Sequence, residues 1–333
     1  MSQTKLRQEQ LELVAKHYRN GVVPEYIGSL GIHVTAGDVV IDEILYSESE
    51  NSDILDISDA ADYIGGDSQR GTDKWLYVYV ASSGSGWAPL LYDEPPLYPT
   101  CEETIIFDAQ LDANPALAAT ALSYDNDTGE ANVVEGDVIC AWEDDTFSTW
   151  VCAWTVVSID TGADNITVEA NNCDAADDDY ITIVHGLPRY RQVSGIWYRC
   201  VGAIRLDDTG SGEIITFFMK KNGLVMWDIG SDGNVVSLAH NTSYENGSAA
   251  EFVPPYSRRA SFVIYSERAN LYTDIHFACL PADTPNYNLP AGGYNYAFNA
   301  FYGEISPNQG FQYKVTVAAM SGYVYVNGYI EEL

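Results

Sequence analysis

The sequence predicts a mainly β protein: a short N-terminal α-helix followed by antiparallel β domains, the last a β-sandwich of jelly-roll type. Three observations predict it. Tyr is abundant (24 residues) alongside many Val and Thr, whereas Lys and Arg together number only 16, a balance that favours strands over helices. Gly (27) and Pro (13) interrupt the chain at short intervals, as turns between short strands require. In the apolar run from Lys74 to Ala81 aromatic Trp75, Tyr77 and Tyr79 alternate with aliphatic Leu76, Val78 and Val80, which puts the two sets on opposite faces of a sheet.

In chain order, the first element is the helix, from about Thr4 to Arg19. Leu11, Val14 and Tyr18 recur at helical spacing, and Asn20-Gly21 supplies a stop. Such a stripe either packs on its own domain or attaches to another subunit, and residues 1–25 are read as an attachment segment. From Ile27 to Leu45 two alternating runs flank Ala36-Gly37-Asp38, which reads as a β-hairpin. Asp53, Asp56, Asp59 and Asp62 then recur every third residue without the tight Gly turn of a Ca²⁺ loop, so a solvated acidic loop or edge strand is expected. KWLYVYVA, from Lys74 to Ala81, is a strand with both faces covered. A Ser/Gly turn, an extended proline-rich connector and a strand at Thr104 to Phe107 follow.

Residues from about 112 to 179 read as an inserted meander within a β-rich domain of residues 26–185. Cys140 and Cys152 fall on adjacent strands there, where they either face each other or remain buried free thiols. Residues 186–212 read as a connecting and assembly segment, and residues 213–333 as the sandwich. Asn222-Gly223 marks a hairpin, with strands expected at Ser261–Tyr265, Ile275–Ala278, Phe311–Ala319 and Tyr323–Ile330.

The formal net charge of −32 repels phosphate backbones and anionic membrane surfaces, which argues against nucleic acid as a partner. No apolar run is long enough to cross a membrane as a helix. Met1 to Lys5 leads into a charged segment rather than an apolar export signal, so synthesis in the cytoplasm is expected. The six cysteines form no C-x-x-C pair, and the five histidines form no H-x-H or H-E-x-x-H pattern. No phosphate loop, dinucleotide fingerprint or nucleophile elbow is present. The chain is therefore read as non-enzymatic, with no cofactor and no metal.

Two groups of residues are candidates for binding. Tyr287, Tyr294, Tyr296 and Tyr302 crowd a segment rich in Gly, Pro and Asn, read as a loop. Its rings either stack on sugars or pack against the domain or a neighbouring subunit. Arg189, Arg191, Arg199 and Arg205 gather four of the 16 basic residues into one short stretch, where they pair with carboxylates of the same chain or of a neighbouring subunit.

That stretch carries a resemblance. WYRCVGAIRLDDTGSGEII resembles a segment of bacteriophage tail-fibre and head-decoration virion proteins, in which an aromatic and basic strand leads through an Asp/Gly turn. Tyr198, Val201, Gly202, Ile204, Arg205, Asp207 and Gly210 match the pattern, and Cys200 stands where a basic residue is usual. The resemblance covers roughly a tenth of the chain. It implies a virion structural protein, a homo-oligomer with a trimer favoured, whose partners are its own copies, other virion proteins and host surface glycans. A carbohydrate-binding module and a glycan-degrading enzyme are the alternative readings.

Overall fold

The computed structural model describes residues 18–48, 53–101, 104–115, 120–160, 162–169, 175–210, 212–220, 223–228, 234–238, 243–267, 273–278, 287–291, 296–315 and 321–331. They divide into two compact units. One comprises Met1–Thr104, Gly186–Val225 and Glu331–Leu333, the other Ile105–His185 and Met226–Ile330. Among the described residues the fold is built from antiparallel sheets, and the only helical segments are 3-10 turns at Ala60–Asp62 and Glu130–Asn132.

Most of the expected N-terminal helix, including Leu11 and Val14, lies outside the described residues. Its end is corrected. Arg19–Asn20 forms a strand, β1, paired with Val39 and Asp38, and Arg19 donates from Nη1 to the Val201 carbonyl at 2.6 Å. These long-range bonds outweigh a helical propensity worth only tenths of a kcal/mol per residue.

The first unit continues with β2 (Pro24–Gly28), β3 (Gly31–Val34), β4 (Gly37–Ile41), β5 (Ile44–Glu48) and β6 (Ile54–Asp56). The single hairpin expected across Ile27 to Leu45 does not form. Instead β3 pairs with β2 and β6, while β4 pairs with β1 and β5, so Thr35 and Ala36 carry the chain between two small sheets. Gly37 serves close approach rather than a turn, since a Cβ there would sit 2.2 Å from the Asn20 carbonyl oxygen. The tight turn is at Asp42 and Glu43, both with positive φ (49° and 62°), the twist a two-residue hairpin favours.

The acidic run is a set of local caps. Asp59 accepts from the Ala61 amide at 2.9 Å, Asp62 from the Asp56 amide at 2.6 Å, and Asp56 from the Ser58 amide at 2.8 Å. The bonds from Ser58 hold the Asp56 carboxyl below its usual range. Next come β7 (Trp75–Ser83) and β8 (Gly86–Tyr92). Leu76 through Ala81 are all buried, which bears out the covered strand. The expected proline-rich connector begins as strand β8, with Pro89 opposite Val80. β8 ends its sheet, the position where a residue lacking an amide hydrogen is tolerated.

In the second unit, β9 (Phe107–Leu111), β10 (Ala121–Thr128), β11 (Val138–Trp142), β12 (Trp150–Asp160), β13 (Asn165–Val168) and β14 (Tyr180–Ile183) close into a barrel of order β10-β13-β12-β11-β14-β9. The expected meander is thus a closed cylinder, which leaves no sheet edge to protect. Its interior is filled by Phe107, Leu111, Tyr124, Ile139, Trp154 and Ile181, among others. Cys140 pairs with Ala153, and Cys152 with Ala141, so the two thiols point to opposite faces. Cys140 is free and Cys152 is disulfide-bonded elsewhere. In the β11–β12 loop, Asp144 accepts from the amides of Thr146, Ser148 and Thr149 at 3.0–3.2 Å. Burial opposes its ionisation, yet bonds from Ser148, Thr146 and Thr149 hold its carboxyl well below the ordinary 3.8.

The chain then returns to the first unit with β15 (Tyr190–Val193), β16 (Ile196–Arg205) and β17 (Phe217–Met219). The sheet order β15-β16-β7-β8 makes residues 186–212 an internal part of that unit rather than a connector. Gly202 lies at a bulge in β16, where a Cβ would meet Pro24 Cγ at 2.9 Å.

The rest of the chain forms β18 (Leu224–Trp227), β19 (Asn234–Leu238), β20 (Glu245–Ser248), β21 (Arg259–Glu267), β22 (Thr273–Ala278), β23 (Tyr287–Ala291), β24 (Tyr296–Glu304), β25 (Gly310–Val315) and β26 (Ser321–Ile330). One sheet has the order β18-β26-β21-β24, with β19 also on β26, and the other β20-β25-β22-β23. The sheets touch through Phe262 on β21 and Phe311 on β25, whose ring centroids are 5.1 Å apart. The segment read as one aromatic loop is largely two strands, β23 and β24.

Candidate functional site

In the first unit, β15 and β16 place Arg191, Arg199 and Arg205, which are only 3–6% exposed. Arg191 pairs with Glu94 and donates to the Pro95 carbonyl. Glu94 also accepts from the Tyr92 hydroxyl at 2.6 Å, while its carbonyl accepts from the Tyr79 hydroxyl at 2.9 Å. Burial, reinforced by Glu94, raises the pKa of Tyr92 and keeps it a neutral donor. Arg199 donates from Nη1 to the carbonyls of Tyr18 and Val40, each at 2.8 Å, and lies 5.9 Å from the Tyr190 ring centroid. Burial pulls its pKa down to about 10, which still leaves it charged near neutrality.

Arg205 pairs with Asp73 and lies over the Trp75 ring at 5.7 Å, and Arg189 reaches Glu331 at 3.5 Å. The four arginines therefore meet carboxylates or carbonyls of their own unit, the intrachain alternative read from the sequence. These contacts tie residues 18, 40, 73, 94 and 331 to one sheet. That is a structural arrangement: buried cations locked to acceptors, with the rings of Tyr190 and Trp75 completing their shells. We expect Arg205→Glu to set a second carboxylate against Asp73 and cost about 2–3 kcal/mol. Urea unfolding checks this, with Arg205→Met losing less.

The tyrosines lie in the second unit. Tyr294 is outside the described residues; the backbones of Tyr287 and Tyr296 begin β23 and β24, and Tyr302, in β24, is 50% exposed. The strands bring further aromatics to Tyr302's face that sequence inspection missed. Tyr302 pairs across Ser261, Ala300 and Tyr325 flank Val263, and Tyr323 flanks Tyr265. Tyr323 is 40% exposed, with its ring 6.0 Å from that of Tyr325. The alternation Tyr323-Val324-Tyr325-Val326 was the available signal, since Val324 and Val326 are fully buried while the tyrosines face the other way.

No protein-family model matches the chain, and no curated protein does. Among solved structures, the crystal structure of a Bacillus thuringiensis Cry1Da tryptic core variant aligns at 9% identity and a TM-score of 0.15, covering 96% of this chain and 52% of that one. At that level of similarity it carries no inference about fold or function.

Proposed function

We propose that the chain is a non-enzymatic structural protein of a virion, a tail fibre, spike or head decoration. In this reading it assembles as a homotrimer and presents its C-terminal domain to the outside. The observation that carries the reading is the nested strand pairing of residues 224–330: β18 with β26, β20 with β25, β21 with β24 and β22 with β23. Pairing first with last in this way, across two sheets, is the connectivity of a jelly roll, an architecture of viral capsid and lectin domains. This is an analogy of fold. The virion-like segment adds to it, because its strand and turn are used structurally: Gly202 admits Pro24, and Asp207 accepts from the Glu213 amide at 2.8 Å.

The exposed ring of Tyr302 supports the second reading, a carbohydrate-binding module, since aromatic faces stack on sugars. Light scattering on the purified chain tests the first. The expected mass is three times the 36.6 kDa of one chain; a stable monomer overturns the oligomeric reading. Antibody labelling of intact particles then tests the location, and particles that bind no antibody overturn it.

A further inference from the structure

We propose that the peptide bond between Asn20 and Gly21 is a site of spontaneous covalent rearrangement, in which Asn20 loses its side-chain amide and the backbone that ends β1 is rebuilt as isoaspartate. Both reacting groups belong to the chain, and the co-reactant is water.

The Gly21 amide nitrogen attacks Cγ of Asn20. A new N–Cγ bond forms as the Cγ–Nδ2 bond breaks, and the side-chain nitrogen leaves with the amide proton as ammonia. Water then opens the resulting cyclic imide. Attack at the former main-chain carbonyl leaves the chain running through Cγ, an isoaspartate, whereas attack at Cγ leaves an ordinary aspartate. Glycine favours the first step because, having no Cβ, it neither blocks the approach to Cγ nor resists the backbone rotation that the approach requires.

Four Asn-Gly pairs occur in the chain, led by Asn20, Asn222, Asn246 and Asn327, and Asn222 lies outside the described residues. The structure separates the other three, because reaction needs an unengaged amide, an accessible side chain and a backbone that can turn. At Asn246, Oδ1 accepts from Gln312 Nε2 at 3.0 Å. The Ala249 amide donates to the Gln309 carbonyl, which by alternation makes Gly247 and Phe311 a hydrogen-bonded pair and occupies the Gly247 amide. At Asn327, Oδ1 is buried, and the residue lies inside the ten-residue β26 between β18 and β21.

Asn20 differs in each respect. It is exposed, and it ends a two-residue strand at the edge of its sheet. The Val40 amide donates to the Tyr18 carbonyl at 3.0 Å, so Asn20 and Asp38 form the next hydrogen-bonded pair and the Gly21 amide falls outside the ladder. Among the described residues that amide donates to no acceptor. Turning the Asn20 backbone therefore breaks only the last pair of a short strand, the kind of fraying that costs least. Either product sets a carboxylate opposite Asp38, the cross-strand partner of residue 20, and like charges directly opposite destabilise a sheet. Isoaspartate also lengthens the backbone, which spoils the register of β1 on β4.

The test is peptide mapping by mass spectrometry of the full chain after prolonged incubation in mildly alkaline buffer, with an isoaspartate-specific methyltransferase to identify the linkage. In the folded chain Asn20 is expected to convert at least ~10-fold faster than Asn246 or Asn327, each of which must first open a paired strand. Its product should be isoaspartate beside aspartate. In concentrated urea the three rates should draw together, since the fold sets the difference. Hydrogen exchange on the aged chain should show the amides of Asp38 and Val40 losing protection, while Asn20→Gln, whose longer side chain closes the ring far more slowly, keeps it. An Asn20 that holds its amide as long as Asn246 and Asn327 in the folded chain overturns the proposal. So does conversion to aspartate alone, which marks direct hydrolysis without attack by Gly21.

Discussion

Arg191→Met is expected to destabilise the first unit by about 3–5 kcal/mol, the range for removing one partner of a buried ion pair. The substitution keeps the length of the stem but strips the cation from Glu94, whose side chain is only 19% exposed. The hydroxyl of Tyr92 remains as a donor, one neutral bond in place of a charge-assisted pair. Denaturant unfolding measures the loss. The companion Arg191→Met with Glu94→Gln separates causes, because it removes both charges together. If the penalty is the stranded carboxylate, the double variant recovers most of the stability; if it is lost packing of the arginine stem, it recovers little.

Trp154→Ala is expected to cost about 3–5 kcal/mol, as deletion of a buried Trp does. Its ring is 1% exposed inside the six-stranded barrel, in the cluster that holds Phe107, Tyr124, Ile139 and Ile181. A closed barrel cannot collapse onto the void by bringing strands together, because strand number and stagger set its diameter. The effect should be local to the second unit. Hydrogen exchange is the discriminating measurement: β9 to β14 lose protection while β7 and β16, in the first unit, keep theirs. Trp142→Ala offers a contrast on the opposite face of β11, where the indole donates to Thr182 at 2.8 Å and meets Trp150 edge-on at 5.4 Å. It too should destabilise, but with the added loss of a buried hydrogen bond.

Local patterns foretold the β class, the buried strand at Leu76 to Ala81 and the late strands near residues 261–265 and 323–330. These are properties of adjacent residues: a period of two, turn residues at the ends, high β propensity. Hairpin partners were less legible. The Ala36-Gly37-Asp38 stretch has turn composition, yet Gly37 is small because β1 passes against it, and no local rule separates those two uses of glycine. The two readings of Cys140 and Cys152 stayed open for a similar reason. Lying on neighbouring strands places two residues side by side, but register decides the face, and a shift of one residue reverses it.

The arginine cluster was visible as composition, and its alternatives were visible too; which carboxylate or carbonyl each cation meets depended on residues up to 181 positions away, as with Arg199 and Tyr18. By itself, the sequence determined that this chain is acidic, aromatic and β-rich, because those follow from residue identity and short-range periodicity. Only the tertiary structure decided that residues 107–183 close into a barrel, that 186–212 are woven into the first unit, and that Tyr302, Tyr323 and Tyr325 share one exposed face. Each of these depends on strand partners far apart in the chain, whose pairing is set by the burial of whole faces and not by any neighbouring pair of residues.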